Sequence, residues 1–251
     1  MPASPDHSRF ISAVLEARLP VVAEIKRRTA DGTDLLLSRT PREMADSYAA
    51  LGAPALSVVT GAWFGGTPDL LDETAAATDL PLLVKDFFTT PAQIDRVATA
   101  GAAAVLLTAA VLPRTVLPSL IDRCLARGLT PFVEVTSEQE TARVIHPEHC
   151  AIAVNNKDIR SRERGTADHR RSLRLLPGLL ATGTPLPMSA SGIDSPALAR
   201  SLLGAGYRGL LVGTALLGAG DLTDWTRLRP GCLDERGGDT TAGPVRERAT
   251  E

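Results

Sequence analysis

Short apolar runs recur at regular intervals along the chain. Eight of them occupy residues 21–26, 55–61, 81–87, 104–110, 130–135, 151–156, 186–191 and 209–214. The runs are nearly continuous rather than alternating, which is typical of parallel strands buried on both faces. Between them, apolar positions recur with a helical period, most clearly at residues 41–51, 91–100, 116–127, 137–144 and 196–205. The pattern therefore predicts a series of alternating strands and helices.

The ends of the predicted helices carry matching signals. Several helices open with Thr or Ser followed by Pro, residues that favour the first helical turn. Glycine follows where a helix should stop, at positions 52, 101, 128 and 206. Eight strand–helix units of about 25–30 residues fill residues 1–228 as one α/β domain, a (β/α)8 barrel. A doubly wound open sheet is the alternative, but no Gly-x-Gly-x-x-Gly turn follows the first strand.

Residues 229–251 have no apolar periodicity. A segment this polar buries too little apolar surface to offset the entropy lost on ordering, so we predict a disordered tail. The predicted domain ends near residue 228.

Composition excludes several classes of partner. A net charge of −2, without a basic cluster, argues against nucleic acid, and no apolar stretch approaches the length of a membrane span. The N-terminal residues lack a signal-peptide pattern, and three cysteines without metal spacing favour a reducing cytosol. His146 and His149 flank Pro147 and are better explained as surface residues than as a metal pair. We expect a cytoplasmic protein without a metal site, and favour a monomer.

Lysine is rare and unevenly placed. Of 27 basic residues only three are lysines, and each ends a predicted strand: Lys26, Lys85 and Lys157. A biased coding composition explains the scarcity of lysine but not this placement. A buried lysine can be tuned to donate or accept a proton, whereas arginine keeps its proton. The placement therefore indicates an active site.

Polar side chains at the strand ends should form one rim, because barrel active sites lie at the carboxyl ends of the strands. Glu24 and Lys26 are two residues apart and must face the same way. Burying both is costly for structure alone, although a salt-bridge layer inside the barrel is the alternative. Glu134 stands alone in an apolar strand, so its pKa should be raised, which suits proton transfer.

The last two strands end in small residues. Ser191-Gly192 and Gly213-Thr214 expose backbone N–H groups after strands seven and eight, where barrels commonly bind phosphate. Together with the lysines and carboxylates, these turns indicate an enzyme that acts on a phosphorylated small molecule.

Eight segments identify a family: VVAEIKRRTADG, SVVTGAWFGG, PLLVKDFFTTPAQI, GAAAVLLTAAVL, VEV, AVNNKDI, SASGI and LVGTALL. The order and spacing of these segments resemble those of indole-3-glycerol phosphate synthases over residues 10–218. That family is a (β/α)8 barrel of tryptophan biosynthesis. It converts a carboxyphenylamino-deoxyribulose phosphate into indole-3-glycerol phosphate, CO2 and water, and the resemblance implies no cofactor and no metal.

The resemblance also implies roles for individual residues. Lys85 would be the general acid that protonates the ribulose carbonyl oxygen as the aromatic carbon attacks. Lys26 would pair with the substrate carboxylate, and Asn155 would hold a substrate hydroxyl. Glu134 and Glu24 would handle the later protons of dehydration. The remaining contacts would come from Phe64, Phe87 and Leu106 for the aromatic ring, Lys157 and Ser191 for other parts of the substrate, and Thr29, Gly192, Gly213 and Thr214 for the phosphate. Without the resemblance, packing would explain the three apolar residues equally well.

Four features of the sequence depart from the family pattern. Ala190 replaces a glutamate after strand seven, and Lys157 replaces an arginine or similar group. Residues 29–32 replace a Ser-Pro-Ser-x-Gly turn, and the segment before the first strand is shorter, so the helix expected over the barrel mouth is trimmed. We expect Ala190 to face the mouth beside Lys85 and Glu134 and to leave a gap. Ser189 should point to the opposite face.

Two other functions stay open from the sequence. A phosphosugar isomerase would fit the barrel, although such enzymes generally use an Asp or Cys acid–base pair and this chain has Glu24 and Lys26 on its first strand. A paralogue with an altered substrate, or a binding relic, would explain Ala190, but the retained lysines and Glu134 argue against a relic.

Overall fold

The computed structural model describes residues 8–29, 31–157, 159, 165–218 and 223–228. In this part of the chain eight parallel strands form a closed barrel in sequence order. The strands are β1 (Val21–Ile25), β2 (Leu56–Val59), β3 (Leu82–Lys85), β4 (Ala104–Thr108), β5 (Thr130–Val135), β6 (Ala151–Asn155), β7 (Leu186–Ala190) and β8 (Gly209–Val212). The pairing of β1 with β8 closes the sheet and excludes the open-sheet alternative. The predicted (β/α)8 barrel is confirmed, and the predicted tail lies outside the described residues.

The helices cover the outside of the barrel. They are α1 (Arg9–Glu16), α2 (Pro41–Leu51), α3 (Pro68–Ala75), α4 (Pro91–Thr99), α5 (Val116–Ala126), α6 (Glu138–Thr141), α7 (His169–Ala181), α8 (Pro196–Ala205), α9 (Thr214–Gly218) and α10 (Thr223–Thr226). Four of the five predicted helices agree within a residue. The prediction for residues 137–144 was too long, because the chain turns after Thr141 towards a short 3-10 helix at Pro147–His149.

Local chemistry explains where helices begin and end. In α2, the Thr40 hydroxyl accepts from the Glu43 backbone N–H while the Glu43 carboxylate accepts from the Thr40 N–H, forming a capping box. Gly52 ends α2 at a φ of 86°, which an L-residue seldom adopts. The same signals had predicted the helix from sequence.

Side chains on each strand alternate between two apolar layers. In β1, Val22 packs inside the barrel, whereas Val21, Ala23 and Ile25 pack against the surrounding helices. Because the period is two, Glu24 faces the interior with Val22. The barrel interior is therefore apolar near its amino end and becomes polar towards the carboxyl ends of the strands.

Helix α1 closes the amino end of the barrel. Phe10, Ile11 and Val14 are buried, and the Phe10 ring meets Phe132 edge to face at a centroid distance of 6.2 Å. Ser8 caps the helix and its hydroxyl bonds to Thr130, the first residue of β5. The described residues before β1 thus cover the amino end of the barrel, and they do not cover the mouth.

Candidate active site

One cavity at the carboxyl ends of the strands contacts all three lysines of the chain. Its volume is about 590 Å³, and Lys26, Lys85 and Lys157 all line it together with Glu24. A narrow slot of about 30 Å³ adjoins it and shares Glu24, Lys26 and Lys85 with it. Lys26 and Lys85 therefore meet where the cavity and the slot join, whereas Lys157 lines the cavity alone.

Glu24 binds two of these lysines at once. Its Oε2 accepts a hydrogen bond from Lys85 Nζ at 2.9 Å, and its Oε1 lies 3.2 Å from Lys26 Nζ. Burial alone would raise the pKa of the Glu24 carboxyl, but the ammonium groups of Lys85 and Lys26 together outweigh it and lower the pKa from 4.5 to about 2. Glu24 is consequently ionised at neutral pH and orients both ammonium groups.

This arrangement predicts a step in stability at acid pH. Unfolded chains protonate Glu24 near pH 4.5, whereas the folded protein does so only near 2. The ion pairs therefore stabilise the fold fully above pH 4.5, and that contribution is lost as the pH falls through about 2. The shift corresponds to about 3 kcal/mol. In urea unfolding across this pH range, the free energy of unfolding should fall more steeply for the wild type than for Glu24→Gln. Equal losses in the two proteins would contradict the lowered pKa of Glu24.

Glu134 and Asn155 form a second buried pair on neighbouring strands. Asn155 Nδ2 donates to Glu134 Oε1 at 2.7 Å, and both residues are buried. The Asn155 Oδ1 accepts from the Lys157 backbone N–H at 2.8 Å, which fixes the orientation of the amide. Glu134 also lines the slot, so its carboxyl group is held in place beside the space that a substrate would enter.

The slot has apolar walls. Phe64, Phe87 and Leu106 line it, as the resemblance implied. Lys26 Nζ lies 5.3 Å from the centre of the Phe64 ring, and Trp63 packs against Phe87 at a centroid distance of 4.8 Å. Further lining residues that the sequence did not single out as binding residues are Val59, Gly61, Asp86, Thr108 and Ile159. The slot therefore places apolar walls next to a cation.

The expected phosphate-binding residues line the larger cavity but not the slot, with one exception. Ser191, Gly192, Gly213 and Thr214 line it. Thr29 is not among its lining residues, and the Thr29 hydroxyl instead donates to the Asp31 carboxylate. A carboxylate so close to Thr29 would oppose an anion, so the geometry does not bring Thr29 into the phosphate site.

Gly213 has a second role that the sequence did not indicate. A Cβ at this position would lie 2.4 Å from Oε1 of Glu24 and 3.1 Å from its Cδ. No side chain fits there unless Glu24 moves. Glycine at 213 therefore makes room for the carboxylate that orients Lys85 and Lys26.

A Gly213→Ala variant should consequently lose catalytic rate as well as substrate affinity. Displacing Glu24 by even 1 Å would misplace both lysines, and errors of that size cost about 10- to 100-fold in rate. Steady-state kinetics would measure kcat and KM separately. Gly218→Ala is the matched control, because a Cβ at Gly218 meets nothing within 4 Å. A variant with raised KM and normal kcat would show that Gly213 serves substrate binding alone.

Ala190 points into the barrel but lines neither the cavity nor the slot. It is fully buried in the same cluster as Leu106, Met188 and Leu211, and neither the cavity nor the slot includes it. Neither the cavity nor the slot therefore supplies the gap that was expected beside Lys85 and Glu134, and Ala190 lies next to Asn155 on β6 and Leu211 on β8. Ser189 faces outwards as expected and bonds to Ser172 on α7.

Sequence reasoning missed a polar network behind the site. Asn156 Nδ2 donates to the Ser189 hydroxyl and to the Ala190 carbonyl, both at 3.1 Å. Ser172 donates to Asn156 Oδ1 at 2.8 Å. The paired asparagines in the sequence indicated a site, but the sequence did not show that the two have different contacts. Asn155 bonds to Glu134, whereas Asn156 bonds to the end of β7.

His169 was also missed. It is half-buried and lines the larger cavity, whereas His146 and His149 are exposed, as predicted. Within the described ranges, no three or more His, Cys, Asp or Glu side chains are grouped to hold a metal ion. No helix there is long and apolar enough to cross a membrane.

Comparison with known proteins agrees with this geometry. The family model described as indole-3-glycerol phosphate synthase matches residues 2–228. Indole-3-glycerol phosphate synthase of Mycobacteroides abscessus is 36% identical over 220 residues, covering 87% of this chain and 79% of that protein. Indole-3-glycerol phosphate synthase 2 of Streptomyces coelicolor is 37% identical, covering 87% of this chain and 83% of that protein. The chain belongs to the indole-3-glycerol phosphate synthase family.

Proposed function

We propose that this protein is a carboxy-lyase that closes the indole ring. It would convert 1-(2-carboxyphenylamino)-1-deoxyribulose 5-phosphate into indole-3-glycerol phosphate, CO2 and water. The observation that carries the proposal is the junction of an apolar slot with a cationic cavity at Glu24, Lys26 and Lys85. A substrate with an aromatic ring at one end and a phosphate at the other spans such a site with its reacting atoms at the junction.

Lys85 is the general acid in this proposal. Its ammonium group lies at the junction and is oriented by Glu24 at 2.9 Å. Donating a proton to the ribulose carbonyl oxygen makes the carbonyl carbon electrophilic as the aromatic carbon attacks it. The aromatic ring would lie in the slot against Phe64 and Phe87.

Lys26 serves the carboxylate that leaves as CO2. Its ammonium group lies on the face of Phe64 and beside Glu24, so it borders both the slot and the cavity. There it would pair with the carboxylate on the carbon that forms the new bond. Release of CO2 then restores the aromatic ring.

The later dehydration needs a group that exchanges protons near neutral pH. Glu24, with a pKa of about 2, is a weak base, so we assign it to positioning rather than to proton transfer. Glu134 lines the slot and is held by Asn155, so we assign proton transfer to Glu134. Because Asn155 is itself fixed by the Lys157 backbone N–H, it would keep the Glu134 carboxyl group directed at the substrate.

The phosphate would bind in the larger cavity, between the turns at Ser191-Gly192 and Gly213-Thr214, with Lys157 as a charged neighbour. The free thiols of Cys124 and Cys150 are consistent with a reducing compartment, and we propose a cytoplasmic location. A monomeric state stays a prediction from the sequence.

One assay tests the proposed reaction. Purified full-length protein should convert the carboxyphenylamino-deoxyribulose phosphate with a rise in indole fluorescence and one CO2 released per product. Inorganic phosphate should compete with the substrate. A phosphosugar isomerase would instead consume an aminoaldose phosphate without releasing CO2. Absence of CO2 and indole product from a folded preparation would contradict the proposal.

A further inference from the structure

The first turn of α7 binds the ends of two neighbouring strands. Arg171 donates to the backbone carbonyl of Asn155 at 2.6 Å and to that of Lys157 at 3.2 Å, at the end of β6. Ser172 bonds to Ser189 at 2.8 Å near the end of β7. This turn is thus in contact with the segment that carries Asn155 and with the segment that precedes the Ser191-Gly192 turn.

His169 extends this contact to the Ser191-Gly192 turn itself. Its Nε2 lies 2.8 Å from the Gly192 carbonyl oxygen. Because a carbonyl oxygen can only accept, Nε2 must carry the hydrogen. The ring also lines the larger cavity, so it lies between the helix and the space where a phosphate would bind.

The Ser191-Gly192 turn has an unusual backbone that needs such a contact. Ser191 has a φ of 68° and Gly192 a φ of 71°. The left-handed region is costly for a residue with a side chain, and such conformations persist only when surrounding contacts impose them. A Cβ on Gly192 would lie 2.2 Å from the Ala167 Cβ, so the turn is also packed tightly against the segment before α7.

We propose that His169 is a positioning residue that holds the Ser191-Gly192 turn in the conformation that binds the substrate phosphate. The proposal rests on the proposed function for the identity of the ligand. His169 would act through the Gly192 carbonyl: fixing that peptide fixes the direction of the N–H groups on the same turn. It would therefore contribute to affinity for the phosphate end and much less to the chemistry at Lys85.

The test compares His169→Leu with His169→Gln in the full-length protein. Leucine removes the donor, whereas the glutamine amide can place a donor near the position of Nε2. We expect His169→Leu to raise KM, and the inhibition constant of inorganic phosphate, by about 3- to 10-fold, as expected for one lost hydrogen bond. The effect on kcat should be smaller, and His169→Gln should recover most of the affinity. His149→Leu is the matched control, because His149 is exposed and lies away from the cavity.

Binding of inorganic phosphate separates this proposal from the proposed reaction. Isothermal titration of phosphate requires no turnover, so weaker binding by His169→Leu supports the proposal even if the protein has a different activity. Unchanged phosphate affinity in His169→Leu would overturn it. So would equal losses in the Leu and Gln variants with both folded by circular dichroism, since the donor would then be irrelevant.

Discussion

Replacing Lys85 by arginine or by alanine is expected to abolish turnover. Removing a general acid costs about 10²- to 10⁴-fold, and arginine holds its proton too tightly to replace the lysine ammonium. Arginine would keep a positive charge beside Glu24, so this exchange separates proton donation from charge. Initial rates with indole fluorescence, over at least four decades of enzyme concentration, would measure the loss.

Two controls accompany the Lys85 variants. Thermal unfolding should show that Lys85→Arg remains folded, and phosphate inhibition should persist, because the proposed phosphate site uses the backbone N–H groups of the Ser191-Gly192 and Gly213-Thr214 turns rather than the Lys85 side chain. A folded arginine variant with near wild-type kcat would remove Lys85 from the acid role. The ammonium group would then serve the substrate only through its charge.

Introducing a glutamate at Ala190 is expected to destabilise the protein by about 3–5 kcal/mol, because it buries a charge without a designed partner. Ala190 is fully buried beside Asn155 on β6 and Leu211 on β8, and it lines neither the cavity nor the slot. The added side chain must therefore displace these residues. Turnover of the standard substrate should fall with stability.

Ala197→Glu supplies the matched control, because Ala197 is exposed on α8. Its free energy of unfolding should change by no more than about 0.5 kcal/mol. The alternative outcome for Ala190→Glu is informative as well. A higher turnover would mean that the barrel opens towards β7 and that the chain is a weakened synthase whose activity one carboxylate restores. A lower turnover without loss of stability would support a pocket adapted to lack that carboxylate.

Much of the fold could be predicted because its signals are local. Parallel strands buried on both faces are continuous apolar runs, and capping residues mark helix ends such as Thr40. The position of the three lysines at the mouth was predictable as well, because a lysine that ends a barrel strand must reach the mouth, whereas their roles stay predictions. Helix α1 was missed although Phe10, Ile11 and Val14 have helical spacing.

The remaining features depend on contacts between distant segments. That Gly213 makes room for Glu24 follows only from the closure of β8 onto β1. His169 lies at the start of a helix and has no local pattern that distinguishes it from a surface histidine. Thr29 was assigned by position in a motif, and its neighbour Asp31 engages its hydroxyl. The raised pKa expected for Glu134 stays a prediction.

The position of α1 has a consequence for the order of folding. Ser8 bonds to Thr130, a residue 122 positions later in the chain, and Phe10 packs on Phe132 of the same strand. Helix α1 therefore cannot complete its packing until β5 has been synthesised and placed. Contacts this far apart in sequence form late, because the intervening chain must first lose its entropy. The apolar face of α1 consequently stays exposed while the first half of the barrel assembles.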